Sequence, residues 1–151
     1  MKILIIFILL ITSCSTIKES IILHHGVSIE KDFLPHVIEF ENRCHRKIST
    51  NIYFKKNFPL ENTIGFCFPI FSKTIYIKYN WWKSHGYYDN EQLLFHELGH
   101  CELKKMHNDT MIPAKDGGMR PLSIMHHILI PDYYYRNREE YIKKLCGNKN
   151  E

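Results

Sequence analysis

The clearest chemical signal in this sequence of 151 residues is a run of five, His96-Glu97-Leu98-Gly99-His100. It matches the H-E-x-x-H pattern, in which two histidines are separated by one helical turn. Residues i and i+4 lie about 40° apart around a helix, so both imidazoles can occupy corners of one zinc tetrahedron. Glu97 is rotated by about 100° from His96, so it can take a proton from a metal-bound water without being a ligand. The competing interpretation is a buried helix whose histidines are simply hydrogen-bonded in the core.

A catalytic zinc site of this kind needs a third protein ligand. Four downstream residues carry suitable side chains: Glu102, His107, Asp109 and Asp116. Glu102 lies about 240° around the helix from His96, so it faces away from the metal. His107 falls just past the expected end of the helix, where a turn would return it to the same ion. We predict one Zn²⁺ held by His96, His100 and His107, with Asp109 as the rival third ligand.

This pattern resembles that of the metzincin metallopeptidases, H-E-x-x-H-x-x-G-x-x-H followed later by a turn that contains methionine. The segment Ser123-Ile124-Met125-His126 looks like that Met-turn. The match departs in two places, because Leu103 stands where the family has glycine and His107 comes one residue late. Without glycine the left-handed turn must be made elsewhere, and Lys105 or Asn108 is the predicted turn residue.

The stretch from about Ile64 to Met125 resembles a group of small bacterial proteins assigned as metallopeptidases. The resemblance implies an α+β, zincin-like fold with a small twisted sheet over an active-site helix, plus N- and C-terminal helices. Met125 would form a hydrophobic floor under the histidines. His127, at a position that holds tyrosine in some metzincins, would either stabilise an oxyanion or simply pack. The strand at 73–79 resembles the edge strand that pairs with an extended peptide substrate.

Hydrophobic periodicity predicts the elements that position these residues. The first are a helix over about 32–47 and strands at 51–55, 64–68 and 73–79. A loop containing Trp81 and Trp82 follows, and then a buried helix that begins at Asp89, with Gln92 as its capping-box partner. An irregular connection at 104–121 leads to a last helix over about 133–145. This order of helix, strands, helix, long loop and helix indicates an α+β domain.

The N-terminus has the pattern of an export signal. Met1-Lys2 precedes an apolar run from Ile3 to Ile11, which as a helix would rise only about 14 Å, too short for a bilayer core of about 30 Å. Ile11-Thr12-Ser13-Cys14 resembles the bacterial lipobox, which implies cleavage before Cys14 and lipid on that residue; a buried first helix or strand is the alternative. The expected organisation is a signal peptide at 1–13, a lipid-anchored tether at 14–22 and a single catalytic domain at 23–151.

Composition limits the remaining possibilities. The net charge of +4 includes no basic run, so nothing favours a nucleic-acid partner. With Cys14 assigned to lipid, four cysteines remain, and they permit two disulfides or four buried thiols: Cys44, Cys67, Cys101 and Cys146. Several of the ten histidines show no ligand spacing to each other and are interpreted as surface or helix-flanking residues: His24, His25, His36, His45 and His85.

Together these observations predict a monomeric zinc peptidase of the bacterial cell envelope, anchored by lipid at the outer membrane or facing the periplasm. Its partners would be a peptide or protein substrate and the membrane. One alternative is a non-catalytic zinc-binding lipoprotein or binding module, although such a site needs no base at Glu97. Another is a peptidase-like fold that acts on a non-peptide amide.

Overall fold

The structure, a computed structural model, describes residues 20–58, 61–69 and 73–147. The expected signal peptide, Cys14 and most of the expected tether lie outside these ranges. Ile21 and Ile22, which the sequence assigns to the tether, belong instead to the first strand. None of the helices in the described ranges has the length and apolar character needed to cross a membrane.

The described chain forms an α+β structure. In chain order its elements are β1 (Ile21–His24), β2 (Val27–Glu30), a 3-10 turn (Lys31–Phe33), α1 (Leu34–Cys44), β3 (Asn51–Lys55), β4 (Gly65–Phe68), β5 (Thr74–Lys78), α2 (Tyr79–Ser84), α3 (Tyr87–Cys101), β6 (Met111–Pro113), β7 (Met119–Pro121), α4 (Pro131–Arg136) and α5 (Arg138–Cys146). The predicted α+β class is therefore confirmed, as are strands close to the three predicted ranges.

Five strands form one mixed sheet in the order β1-β2-β3-β5-β4. The outer pairs β1/β2 and β4/β5 are antiparallel, whereas β3 runs parallel to both of its neighbours. The prediction that the strand at 73–79 is an edge strand is wrong, because β5 lies between β3 and β4. The edge strand at this end of the sheet is β4, which among the described strands pairs only with β5, and β1 forms the opposite edge.

One face of the sheet carries the core. Ile29, Ile52, Ile75 and Cys67 lie side by side across four strands, and the three isoleucines are fully buried. Alternation along a strand places Gly65 on the same face as Cys67. Helices α1 and α3 pack against this face through apolar side chains that are fully buried: Val37, Phe40, Leu94, Phe95 and Leu98.

Helix α3 is buried on nearly every side, as its pattern predicted. It begins at Tyr87, two residues before the predicted Asp89, because Gly86 is the N-cap and its N–H donates to the Asp89 carboxylate at 3.2 Å. The predicted capping box between Asp89 and Gln92 is therefore wrong. Trp81 and Trp82 lie in the short helix α2 and not in a loop, and only Trp82 joins the core.

The C-terminal helices α4 and α5 contact α3 through a buried carboxylate. Glu91 of α3 is fully buried and accepts hydrogen bonds from Tyr134 Oη at 2.7 Å and from Arg138 Nε at 2.6 Å. Arg138 also pairs with Glu39 of α1 at 2.9 Å. The predicted single helix over 133–145 is in fact two helices that meet at Asn137, which lets α4 and α5 contact α3 separately.

Candidate metal centre

The structure brings the three predicted histidines together. The Nε2 atoms of His96 and His100 lie 3.1 Å apart, and each is 3.2 Å from Nε2 of His107. A zinc–nitrogen distance of about 2.0–2.1 Å would separate tetrahedral ligand atoms by about 3.3–3.4 Å. The three nitrogens therefore have the mutual spacing of three ligands on one tetrahedral cation, with a fourth position open.

Hydrogen bonds on the opposite side of two rings fix which nitrogen faces the centre. His96 Nδ1 donates to the Ile124 carbonyl at 2.9 Å, and His100 Nδ1 donates to the Lys105 carbonyl at 2.7 Å. Burial lowers the pKa of His96 to about 4 and also lowers the pKa of His100, so both rings are neutral at pH 7. Their Nε2 lone pairs then face each other, an arrangement that is repulsive unless a cation lies between them.

A left-handed residue returns the chain to the centre after α3. Lys104 has a φ of 54°, and the Lys105 N–H donates to the Gly99 carbonyl at 3.0 Å. The predicted turn residues, Lys105 and Asn108, are therefore wrong. The turn comes one residue after Leu103, the position of the family's glycine, and His107 is displaced by the same single residue. The two departures from the metzincin pattern thus compensate each other.

Met125 packs directly beneath the histidine helix. A Cβ built on Gly99 would clash with Met125 Sδ and would lie 3.1 Å from Leu145 Cδ1, so only glycine fits between His96 and His100. Met125 is 1% exposed, and its carbonyl accepts the Asn108 N–H at 2.9 Å. This contact ties the segment that carries His107 to the turn that contains Met125.

Glu97 lies between the helix and the edge strand. Its carboxyl is buried against Gly65, where an added Cβ would be only 2.9 Å from Glu97 Oε1, and it accepts a hydrogen bond from the Cys67 N–H. Burial raises the pKa of Glu97 to about 8, while the Cys67 hydrogen bond lowers it by a smaller amount. A carboxyl with its pKa near neutrality can both accept and release a proton.

The centre opens into a cleft of about 1080 Å³. We use "the cleft" for the space lined by strand β4, by the exposed side of α3 and by the segments Lys104–His107 and His127–Leu129. Trp81 and His85, whose rings stack 4.0 Å apart, form part of its wall. Trp82 is thus buried in the core, whereas Trp81 packs against the core and lines the cleft.

A disulfide joins the edge strand to the end of the histidine helix. Cys67 of β4 is bonded to Cys101, the residue that follows His100, and the second disulfide joins Cys44 of α1 to Cys146 of α5. The sequence left disulfides and free thiols equally open, and the structure has both disulfides. Cys67 and Cys101 both line the cleft, so this bond ties strand β4 to the end of α3 at the wall of the cleft.

Asp109, the rival ligand, lies outside the histidine triad. Its carboxylate accepts hydrogen bonds from His127 Nδ1 at 2.5 Å and from the His127 N–H at 3.1 Å. These hydrogen bonds from His127 lower the pKa of Asp109. His127 is therefore held at the cleft wall by a carboxylate, a pairing that no local sequence pattern indicated, since the two residues are far apart in the chain.

The other two predicted ligand candidates also lie elsewhere. Glu102 faces away from the centre, as its helical position predicted, and accepts the Ser49 N–H at 2.7 Å. Asp116 accepts the Gly118 N–H at 3.1 Å in the β6–β7 hairpin. Comparison with protein-family models, with curated proteins and with solved structures finds no significant match for this chain.

Proposed function

We propose that this protein is a zinc-dependent peptidase of metzincin-like type. The observation that carries the proposal is the convergence of the Nε2 atoms of His96, His100 and His107 within 3.2 Å of one another, in an open cleft that the buried Glu97 also lines. A purely structural zinc site closes its coordination with four protein ligands, whereas three ligands and an open position are typical of catalytic zinc.

The chain's own residues divide the chemistry between them. Zinc bound by His96, His100 and His107 would supply Lewis-acid polarisation of a carbonyl and lower the pKa of a water. Glu97 would accept the proton of the attacking water and pass it to the leaving amine. Burial of Glu97 against Gly65 and the hydrogen bond from Cys67 fix the position of its carboxyl in the cleft that the three histidines also line.

The edge strand would position the substrate. Strand β4 is an edge of the sheet and its residues line the cleft, and an extended peptide can add to such an edge through main-chain hydrogen bonds. The strand at 73–79, which the sequence predicted for this role, lies inside the sheet, so we assign the role to β4. Main-chain pairing favours a peptide over a non-peptide amide, which lacks the repeating donors and acceptors.

His127 would stabilise the negative charge that develops on the substrate carbonyl. Its Nδ1 donates to the Asp109 carboxylate at 2.5 Å, and this hydrogen bond fixes the position of the ring at the wall of the cleft. Removing one such donor from other enzymes reduces turnover by about 10²–10³-fold. The remaining elements of the proposal are a lipid anchor at Cys14, a location in the bacterial cell envelope and a monomeric state.

The decisive experiment compares the full-length protein with Glu97→Gln. We expect both to bind zinc at the triad, while cleavage of a peptide library falls by about 10²–10⁴-fold in the variant because the proton acceptor is lost. Glu61→Gln, which changes an exposed carboxylate, is the matched control and should cleave normally.

Zinc binding without cleavage in the unmodified protein would instead support the non-catalytic binding module. Cleavage that survives in Glu97→Gln would overturn the role given to Glu97. A preference for small amides over peptides of any length would support the alternative of a non-peptide amide substrate.

A further inference from the structure

A second group of metal-binding side chains lies at the opposite edge of the sheet from the cleft. His24 ends strand β1, His25 follows it in the turn to β2, and Glu41 belongs to α1. The Glu41 Oε2 atom lies 3.1 Å from His24 Nε2 and 3.7 Å from His25 Nε2. We call this group, His24, His25 and Glu41, the hairpin cluster.

Two adjacent histidines reach the same carboxylate because the chain turns between them. Successive side chains on a strand point to opposite faces, which would separate His24 from His25. His25 instead has a φ of 50° and Gly26 a φ of 86°, so both lie in the left-handed region of a tight hairpin turn. The two imidazoles then approach each other, with ring centroids 4.2 Å apart.

The carboxylate of the hairpin cluster is oriented in advance. The side chain of Glu41 is 4% exposed, and its Oε1 atom accepts the Ile48 N–H at 3.0 Å. This leaves Oε2 facing the two imidazoles. Hydrogen bonds of this kind to a ligating carboxylate fix its direction and strengthen binding.

We infer that the hairpin cluster binds one divalent transition-metal ion of the zinc type, through His24 Nε2, His25 Nε2 and a Glu41 carboxylate oxygen. The contacts of 3.1 and 3.7 Å span the ligand separation of about 3.3–3.4 Å for tetrahedral zinc. His25, with a side chain 45% exposed, gives the ion access from solvent. The inference goes beyond the proposed function, since it holds whether or not the protein is a peptidase.

Lys47 competes with the ion for the same oxygen. Its ammonium lies 3.2 Å from Glu41 Oε2, but the side chain is 67% exposed and can turn into water. Binding would therefore exchange one cation for another at a buried carboxylate. It would also join the β1–β2 hairpin to α1 through a metal, so it should stabilise the end of the sheet that is furthest from the cleft.

The test counts the zinc bound by the full-length chain after EDTA treatment and removal of the chelator. We expect two Zn²⁺ per chain in the unmodified protein, one in His25→Gln and one in the double variant His96→Ala/His100→Ala. His45→Asn alters an exposed histidine outside both sites and should retain two. Because the His25 side chain is about half exposed, His25→Gln should fold normally, which circular dichroism will verify.

A gain of affinity provides a second test that does not depend on damaging the site. Lys47→Met removes the competing ammonium, and we expect the hairpin cluster to bind zinc roughly fivefold more tightly, the effect of a partly exposed ion pair of up to 1 kcal/mol. The inference is overturned if the unmodified protein binds one zinc that only His96→Ala/His100→Ala removes. It is also overturned if neither His25→Gln nor Lys47→Met changes zinc binding, since the hairpin cluster is then only an ion pair.

Discussion

The histidine triad and the hairpin cluster offer a metal similar numbers of ligands in different surroundings. In the triad, two ring nitrogens are set by carbonyls behind them, and the three inner nitrogens face one another with no competing cation among the described contacts. In the hairpin cluster, one carboxylate is shared between two imidazoles and the ammonium of Lys47.

This difference predicts an order of affinity. The triad loses nothing when a cation enters, because its lone pairs are otherwise in repulsive contact. The hairpin cluster must give up an ion pair and at least one hydrogen bond first. We therefore expect zinc to fill the triad before the hairpin cluster.

The largest effect should come from removing a ligand of the triad. Structural zinc sites with a full set of ligands bind the ion with a free energy of about 10–16 kcal/mol. Loss of one ligand should therefore weaken zinc binding by about 10²–10⁴-fold. We expect His100→Ala to do this at the triad and to leave the weaker hairpin binding unchanged, as measured by competition with a zinc-responsive dye. If both affinities fall together, the two groups are not independent sites.

Removal of each disulfide should affect the triad and the hairpin cluster differently. Each lies near one site, because Cys101 follows His100 and Cys44 is in the same helix as Glu41. In the chain-entropy model, removing the Cys44–Cys146 bond should cost about 4.7 kcal/mol of unfolding free energy, and removing Cys67–Cys101, which closes a shorter loop, about 4 kcal/mol.

Zinc affinity at the triad should respond to only one of these losses. The double variant Cys67→Ser/Cys101→Ser frees the strand beside Glu97 and the helix end beside His100, so the triad should bind zinc more weakly. The variant Cys44→Ser/Cys146→Ser should bind there normally despite its larger loss of stability in urea. Equal zinc affinity in both variants would contradict a positioning role for the Cys67–Cys101 bond.

Acid should destabilise the helix that carries Glu41 through a buried histidine. Burial lowers the pKa of His36 to about 4 from its usual 6.5. The unfolded chain takes up this proton below about pH 6.5 and the folded chain only near pH 4, so the stability is complete above 6.5 and is lost as the pH falls. For zinc-free protein we expect a loss of about 3 kcal/mol between pH 6.5 and 4.

The variant His36→Phe should flatten this pH dependence. His36 lies against the rings of Trp82 and Tyr87, and its Nδ1 has no hydrogen-bond partner in the described part of the chain, so an aromatic ring suits the site. Urea unfolding at several pH values is the measurement, with His45→Asn as the exposed control. An unchanged slope in His36→Phe would show that other groups cause the acid sensitivity.

The smallest effects should come from the left-handed residues that end the two helices. Lys104 follows α3 with a φ of 54°, and His45 ends α1 with a φ of 49°. A residue with a side chain pays about 1–2 kcal/mol to adopt the left-handed conformation, and glycine avoids this strain. Glycine also loses more chain entropy on folding, which costs about 0.5–1 kcal/mol, so each glycine variant should raise the free energy of unfolding by about 0.5–1 kcal/mol. Only Lys104→Gly, which acts on the return of His107, should alter zinc affinity at the triad.

The sequence predicted one region well and missed the other for a physical reason. His96 and His100 are one helical turn apart, so their convergence is a local property of any helix that contains them. His24 and His25 are adjacent, and adjacency in a strand indicates divergence; only the left-handed turn at His25 makes them converge. Their shared partner, Glu41, lies on another element, and no local pattern connects it to them.

In the fold, too, local elements were predicted and features that depend on distant contacts were missed. Strand-forming residues predicted β3 and alternation predicted β5, both closely, but the order of strands in the sheet depends on contacts between distant segments. The prediction of an edge strand at 73–79 was therefore wrong, although the strand itself was found. The break between α4 and α5 at Asn137 was missed for a related reason, since it lets both helices contact α3.

The α+β class and the paired histidines on a buried helix could be predicted from the sequence, because each depends on local periodicity or spacing, whereas the place of Met125 beneath the histidines was implied by the resemblance to the Met-turn of the metzincins. Three features became visible only in the folded chain: Lys104 makes the turn, His107 and not Asp109 joins the triad, and Glu97 is enclosed by Gly65 and Cys67. These depend on how segments far apart in the chain pack together, and local patterns carry no information about such contacts.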